Sequence, residues 1–132
     1  CRNDKIIMDN EIIIINYFGA LTSYFKYANS TFIGKSMIFK LKNQGGQNPV
    51  EAAKLGCKIY HGPYVYNFSE IYSLLKDYNI AEVIKNEEEL AKKLSLSFDS
   101  LEKKNSLSFQ TINEIGDKIL AQNIEQIKKL DD

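Results

Sequence analysis

The chain is poor in the residues that specialised binding chemistry most often uses. Arginine occurs once among 132 residues, at Arg2, so bidentate clamping of phosphate by guanidinium groups is nearly closed to it. An anion site here must use backbone amides, helix N-termini or lysine. Histidine also occurs once, at His61, and one imidazole without a cysteine–histidine cluster makes no ordinary metal site. The two cysteines are Cys1 and Cys57. Cys57 opens an apolar run and reads as a small buried hydrophobe, which suits a reducing compartment. Excess positive charge is missing too: 17 basic residues balance 17 acidic ones, which argues against a nucleic-acid partner. No apolar run approaches the roughly 20 residues of a membrane span, so the chain itself is expected to be soluble. What is present is ordinary for one globular domain, 44% hydrophobic and 26% charged. The sequence starts at Cys1 rather than a methionine and reads as a piece of a longer protein.

Apolar periodicity lays out alternating elements. "EIIII" predicts a buried strand over 12–16, and residues 20–30, with Leu21, Tyr24, Phe25 and Ala28 at helical spacing, predict a helix. A short strand follows over 31–34, then a loop over 35–47. "NPVEAAKLG" predicts a helix with Asn48 as cap, Pro49 first, Glu51 third and Gly56 as terminator. A strand over 57–61 precedes a Gly62–Pro63 turn, and a helix over 67–79 repeats the capping signature with Asn67 and Glu70. A strand over 80–85, an acid-led helix over 86–94 and a helix over 108–130 close the pattern. The last carries Phe109, Ile112, Ile115, Ile119, Ile124 and Ile127 as an apolar stripe, slightly weakened by Gly116. Such alternation predicts an α/β fold with a parallel sheet and helical crossovers, whose ligands bind beyond the carboxyl ends of the strands.

The loops over 17–20, 35–48 and 62–67 should meet at that edge, and the unusual residues lie in them. Gly45 and Gly46 let a ligand approach the main chain, and Glu51 is placed to accept two ribose hydroxyls. The plainer reading makes Asn48 and Glu51 a capping box and the glycines a turn. Tyr64 and Tyr66 can stack on a base or simply fill a loop. Lys35 and Ser36 can face a phosphate or stand as ordinary loop residues, and His61 suits a structural or pocket-lining role.

Taken together, "FIGKS…NQGGQNPVEAAKLGCKIYHGPYVYNFSEI" resembles the C-terminal lobe of the 3-deoxy-D-manno-octulosonate (Kdo) transferases. That family commonly shows Phe-x-Gly-Gly-Ser, then Gly-Gly-His-Asn-Pro-x-Glu, then Gly-Pro and Asn-Phe. Matching positions are Phe32, Gly34 and Ser36; Gly45, Gly46, Asn48, Pro49 and Glu51; and Gly62, Pro63, Asn67 and Phe68. Upstream, Gly19 and Leu21 match a Thr-x-Gly-Glu-Leu segment. The family's histidine is Gln47 here, its second serine-preceding glycine is Lys35, and its upstream glutamate is Ala20.

The resemblance implies a Rossmann-like parallel sheet flanked by helices, part of the C-terminal lobe of a two-lobed GT-B glycosyltransferase. Residues 1–132 would be the truncated nucleotide-sugar-binding domain, with a helical segment at about 95–132. It further implies a CMP-Kdo donor, a lipid A precursor as acceptor, lipopolysaccharide biosynthesis, and work at the cytoplasmic face of a bacterial inner membrane. The family uses no metal or other cofactor. Gly19, Ser36, Gly45, Gly46, Gln47, Asn48 and Glu51 would border the nucleotide, with Lys35, Gly62, Pro63, Tyr64 and Asn67 forming the adjoining pocket. The catalytic base would lie in an N-terminal lobe outside this chain, so the piece alone would be inactive. Missing sheet neighbours would also leave a strand edge open to self-association. The other readings are a glycosyltransferase using another nucleotide sugar, and a diverged binding domain without turnover.

Overall fold

A computed structural model describes residues 12–16, 19–44, 47–99 and 109–130. Its centre is a three-stranded parallel sheet in the order β1 (Ser30–Ile33), β2 (Lys58–His61) and β3 (Ala81–Val83). Ser30 pairs with Lys58 and Ile33 with His61, while Ile59 pairs with Ala81 and His61 with Val83. This register brings the carboxyl ends of all three strands to one edge. Helices α1 (Leu21–Phe25), α2 (Val50–Lys54) and α3 (Ser69–Asp77) alternate with the strands, and α4 (Glu87–Asp99) and α5 (Phe109–Leu130) follow. The fold is therefore α/β and Rossmann-like, as the alternation predicts.

Helices α2 and α3 end in the same device. After α2, Gly56 takes φ 79°, its N–H bonds to the Ala53 carbonyl, and the Cys57 N–H bonds back to Ala52 at 3.0 Å. After α3, Asn79 takes φ 57°, its N–H bonds to Lys76, and the Ile80 N–H bonds to Leu75 at 2.8 Å. Each is a left-handed cap that satisfies orphan carbonyls and turns the chain directly into a strand. Lys58 reinforces the second by donating to both the backbone and side-chain oxygens of Asn79.

The core joins Ile33, Ile59, Ala52, Ala53, Leu75 and Ile80 across the sheet and its helices. Ile115 of α5 is buried with them, whereas Ile124, on the same expected stripe, is exposed. Cys57 is buried and its thiol lies 3.2 Å from the Phe25 carbonyl and 3.3 Å from that of Ala28, tying α1 to the sheet. Helix α4 docks through Lys93, which pairs with Glu82 of β3; Glu82 also faces Lys58 at 3.7 Å.

Four local expectations need correction. Residues 12–16 form no strand, and Ile12–Ile15 are 43% to 89% exposed. A continuous isoleucine run fits a sheet covered on both faces, and no described strand pairs with it. Helix α1 stops at Phe25, because the chain must straighten for Asn29 to accept from the Lys58 N–H and for β1 to begin at Ser30. Residues Phe39–Gln44, expected as loop, wind into a 3₁₀ turn. Asn67 does not cap α3: a 3₁₀ turn at Tyr66–Phe68 intervenes and the helix starts at Ser69 without a side-chain cap.

Candidate functional site

The carboxyl edge is built around one buried serine. Ser36 follows β1 and is fully buried. Its hydroxyl donates to the Ile33 carbonyl at 2.6 Å and accepts from the Gly62 N–H at 2.8 Å, while its carbonyl accepts from the Tyr64 N–H at 2.9 Å. The loops leaving β1 and β2 are thus stitched together. Gly62 is glycine because there is no room for more: a Cβ would stand 2.4 Å from the Ser36 oxygen and 2.6 Å from the Met37 sulfur. Both residues carry architecture rather than an open contact surface. Beside them, Lys35 adopts φ 65°, a conformation that favours glycine, at the position where the resembling motif has its second glycine.

A second clamp holds the entrance to α2. Tyr72 of α3 is buried, and its hydroxyl donates to the Gln47 carbonyl at 2.8 Å. Burial pushes this phenol well above its ordinary range, so it stays a proton donor. Its ring lies 4.3 Å from that of His61, centre to centre. His61 is buried at the end of β2, and its Nδ1 donates to the Gly62 carbonyl at 2.7 Å. Burial holds this imidazole below its ordinary value, with the Gly62 bond opposing the shift. His61 is accordingly a structural residue beneath the edge.

The expected box at Asn48 and Glu51 is half formed. Asn48 Oδ1 accepts from the Val50 N–H at 3.0 Å, but Glu51 Oε2 accepts from the Thr22 hydroxyl of α1 at 3.1 Å instead of returning to Asn48. This contact sets the first turns of α1 and α2 side by side. Glu51 remains exposed, as do Gln47 and Asn48. Gly19 stands exposed just before α1. Gly45 and Gly46 lie outside the described residues.

Pro63 and Tyr64 line an open pocket of about 300 Å³ together with Lys42, Asn43, Tyr66 and Ser69. Asn67, expected there, is exposed in the adjacent turn and is not part of its lining. Lys35, Ser36 and Gly62 are not part of it either. Sequence reasoning missed Tyr72, Thr22, Lys42 and Ser69. Tyr72 had a usable signal, since it stands three residues before Leu75 on the buried side of α3; the others are contacts between distant segments. Among the described residues no group of His, Cys, Asp and Glu gathers as metal ligands, and no helix is long and apolar enough to cross a membrane.

A three-stranded parallel sheet flanked by helices defines the class: a Rossmann-like α/β unit, consistent with part of a GT-B lobe. Comparison with known proteins makes it particular. The chain is Kdo transferase-like over nearly its whole length. It is 32% identical over 126 residues to a 3-deoxy-D-manno-octulosonic acid transferase of Rickettsia prowazekii, a match spanning 96% of this chain and 26% of the relative. The transferase of Rickettsia felis is 33% identical over 135 residues, covering 97% of this chain and 27% of the relative. A transferase of the same name from Aquifex aeolicus is 25% identical over 88 residues, 67% of this chain and 24% of the relative. The chain therefore spans about a quarter of the length of these curated relatives. No family model matches it.

Proposed function

We propose that this chain is the donor-nucleotide-binding part, within the C-terminal lobe, of an enzyme that transfers Kdo from CMP-Kdo to a lipid A precursor in lipopolysaccharide biosynthesis. The observation that carries this reading is the match to transferases of that name along 96% of the chain. Supporting it, Gln47, Asn48 and Glu51 are exposed beside one another at the carboxyl edge, where parallel sheets bind nucleotides. Glu51 accepts the two ribose hydroxyls, exchanging its bond to Thr22 for them. Gly45 and Gly46, outside the described residues, are assigned to the phosphate by the motif they match. Ser36, Gly62 and Tyr72 act one step back by fixing the loops that meet there.

In the reaction, a base outside this chain takes the proton of the acceptor hydroxyl. The oxygen bonds to the anomeric carbon of Kdo as the bond from that carbon to the CMP phosphate oxygen breaks, and CMP leaves. The chain holds the leaving group and supplies no base, so alone it binds without turnover. The complete enzyme works at the cytoplasmic face of the inner membrane, where its lipid acceptor is found. A second reading, a diverged nucleotide-binding domain, draws on Ala20, Lys35 and Gln47, which depart from the resembling motifs.

Calorimetric titration with CMP, UMP and AMP tests the proposal. CMP should bind preferentially, and Glu51→Ala should abolish binding while lowering stability by no more than about 0.5–1.5 kcal/mol, the cost of losing its exposed hydrogen bond from the Thr22 hydroxyl. Unchanged CMP affinity in a folded Glu51→Ala variant refutes the ribose role. Preference for UMP or AMP moves the chain to a different donor.

A further inference from the structure

We propose that the pocket beside the loop after β2 seats the acidic sugar of the donor, with Lys42 holding its carboxylate; this rests on the donor-binding reading above. The pocket has a volume of about 300 Å³, and no acidic side chain lines it. Lys42 is held ready at its wall: Nζ lies 4.4 Å from the centre of the Phe39 ring, and Phe39 stands edge-on to Tyr64 with centroids 5.7 Å apart. This stack orders the ammonium without neutralising it. Among the described residues no carboxylate lies within ion-pair distance of Lys42, whereas Glu82 takes both Lys58 and Lys93. Tyr66, on the same pocket, is 75% exposed, so packing within the described fold does not account for its ring.

The lining fits one ligand chemistry better than its rivals. An aromatic face suits the C–H side of a sugar, the Asn43 amide and Ser69 hydroxyl suit its hydroxyls, and the Lys42 ammonium suits a carboxylate. A neutral hexose leaves Lys42 without a counter-charge, and so does a nucleobase. An octulosonic acid uses all three kinds of group. Lys42 is then a specificity-determining residue for an acidic over a neutral sugar, distinct from the nucleotide contacts at Glu51.

The test titrates the chain with free Kdo, with its methyl ester and with CMP, using saturation-transfer NMR for the sugars and calorimetry for CMP. Free Kdo should bind, and its uncharged ester should bind roughly tenfold more weakly. Lys42→Gln should lower Kdo affinity by a similar factor while leaving the affinities for the ester and CMP unchanged, and Lys42→Arg should retain Kdo binding. The proposal is overturned if Lys42→Gln binds Kdo as the parent does, or if the parent shows no Kdo binding. Kdo binding without CMP binding keeps this subsite and removes the nucleotide reading. CMP binding without Kdo binding does the reverse.

Discussion

Gly62→Ala should be among the most damaging single-methyl additions this chain can receive. The new Cβ would meet the Ser36 carbonyl oxygen at 2.4 Å, its carbon at 2.6 Å and the Met37 sulfur at 2.6 Å. The sulfur can swing away, but the carbonyl is backbone and already accepts from the Tyr64 N–H. Relief therefore requires the two loops to part, which strains the bonds from Gly62 N–H to Ser36 Oγ and from Tyr64 N–H to Ser36 O. Overpacking costs about 1–3 kcal/mol, and each weakened bond adds about 0.5–1.5 kcal/mol. The total is roughly 2–6 kcal/mol. Gly34→Ala is the control, since a Cβ there meets nothing within 4 Å, and it should be neutral or slightly stabilising. Urea unfolding read by far-UV circular dichroism measures both, as the chain has no tryptophan. Ser36→Ala alone should cost about 1–3 kcal/mol by orphaning the buried Gly62 N–H. The double variant should lose less than the sum of the two single losses, because both remove the same stitch. A Gly62→Ala protein within about 0.5 kcal/mol of the parent refutes the stitched-loop account.

Two further outcomes follow from backbone strain and burial. Lys35→Gly should raise stability by roughly 0.5 kcal/mol, the balance of relieved left-handed strain and added unfolded-chain freedom, whereas β-branched Lys35→Val should lower it; urea midpoints decide. His61 has its folded pKa lowered by burial, so its contribution to stability is present above the unfolded imidazole value of about 6.5 and is lost as pH falls through the folded value. Unfolding midpoints should therefore decline as pH drops below about 6.5, and His61→Phe, which keeps a ring against Tyr72, should flatten that decline.

Alternation of short β-branched runs with helical spacing was enough to read the α/β layout, since strand and helix periods are local properties. Gly56 was legible as a helix terminator for the same reason. Capping was harder. Asn48, Asn67 and Asn86 each precede a glutamate by three residues, yet the third pair makes the fullest use of that spacing: Asn86 accepts from the Glu89 N–H, and Glu89 accepts from the Lys85 N–H, each at 2.9 Å. At Glu51 the hydroxyl of Thr22 intervenes, and at Asn67 the turn pinned through Tyr64 moves the helix start to Ser69. Tertiary contacts outranked the local signal in both places. The described motif residues lie at the carboxyl edge of the sheet, but their division into stitching groups and exposed groups depends on partners 25 or 26 residues away, as with Tyr72 to Gln47 and Gly62 to Ser36. Spacing cannot encode that division.

The thiol of Cys57 lies beneath the carbonyls of Phe25 and Ala28, at the seam between the first helix and the sheet. An alkylating reagent reaches that sulfur only when the seam parts, so its capture rate counts openings of the first helix. With Cys1 replaced by serine, the chain carries a single built-in clock for this motion. Slower capture on adding a ligand would register tightening of the seam, without a label or a change to the site itself.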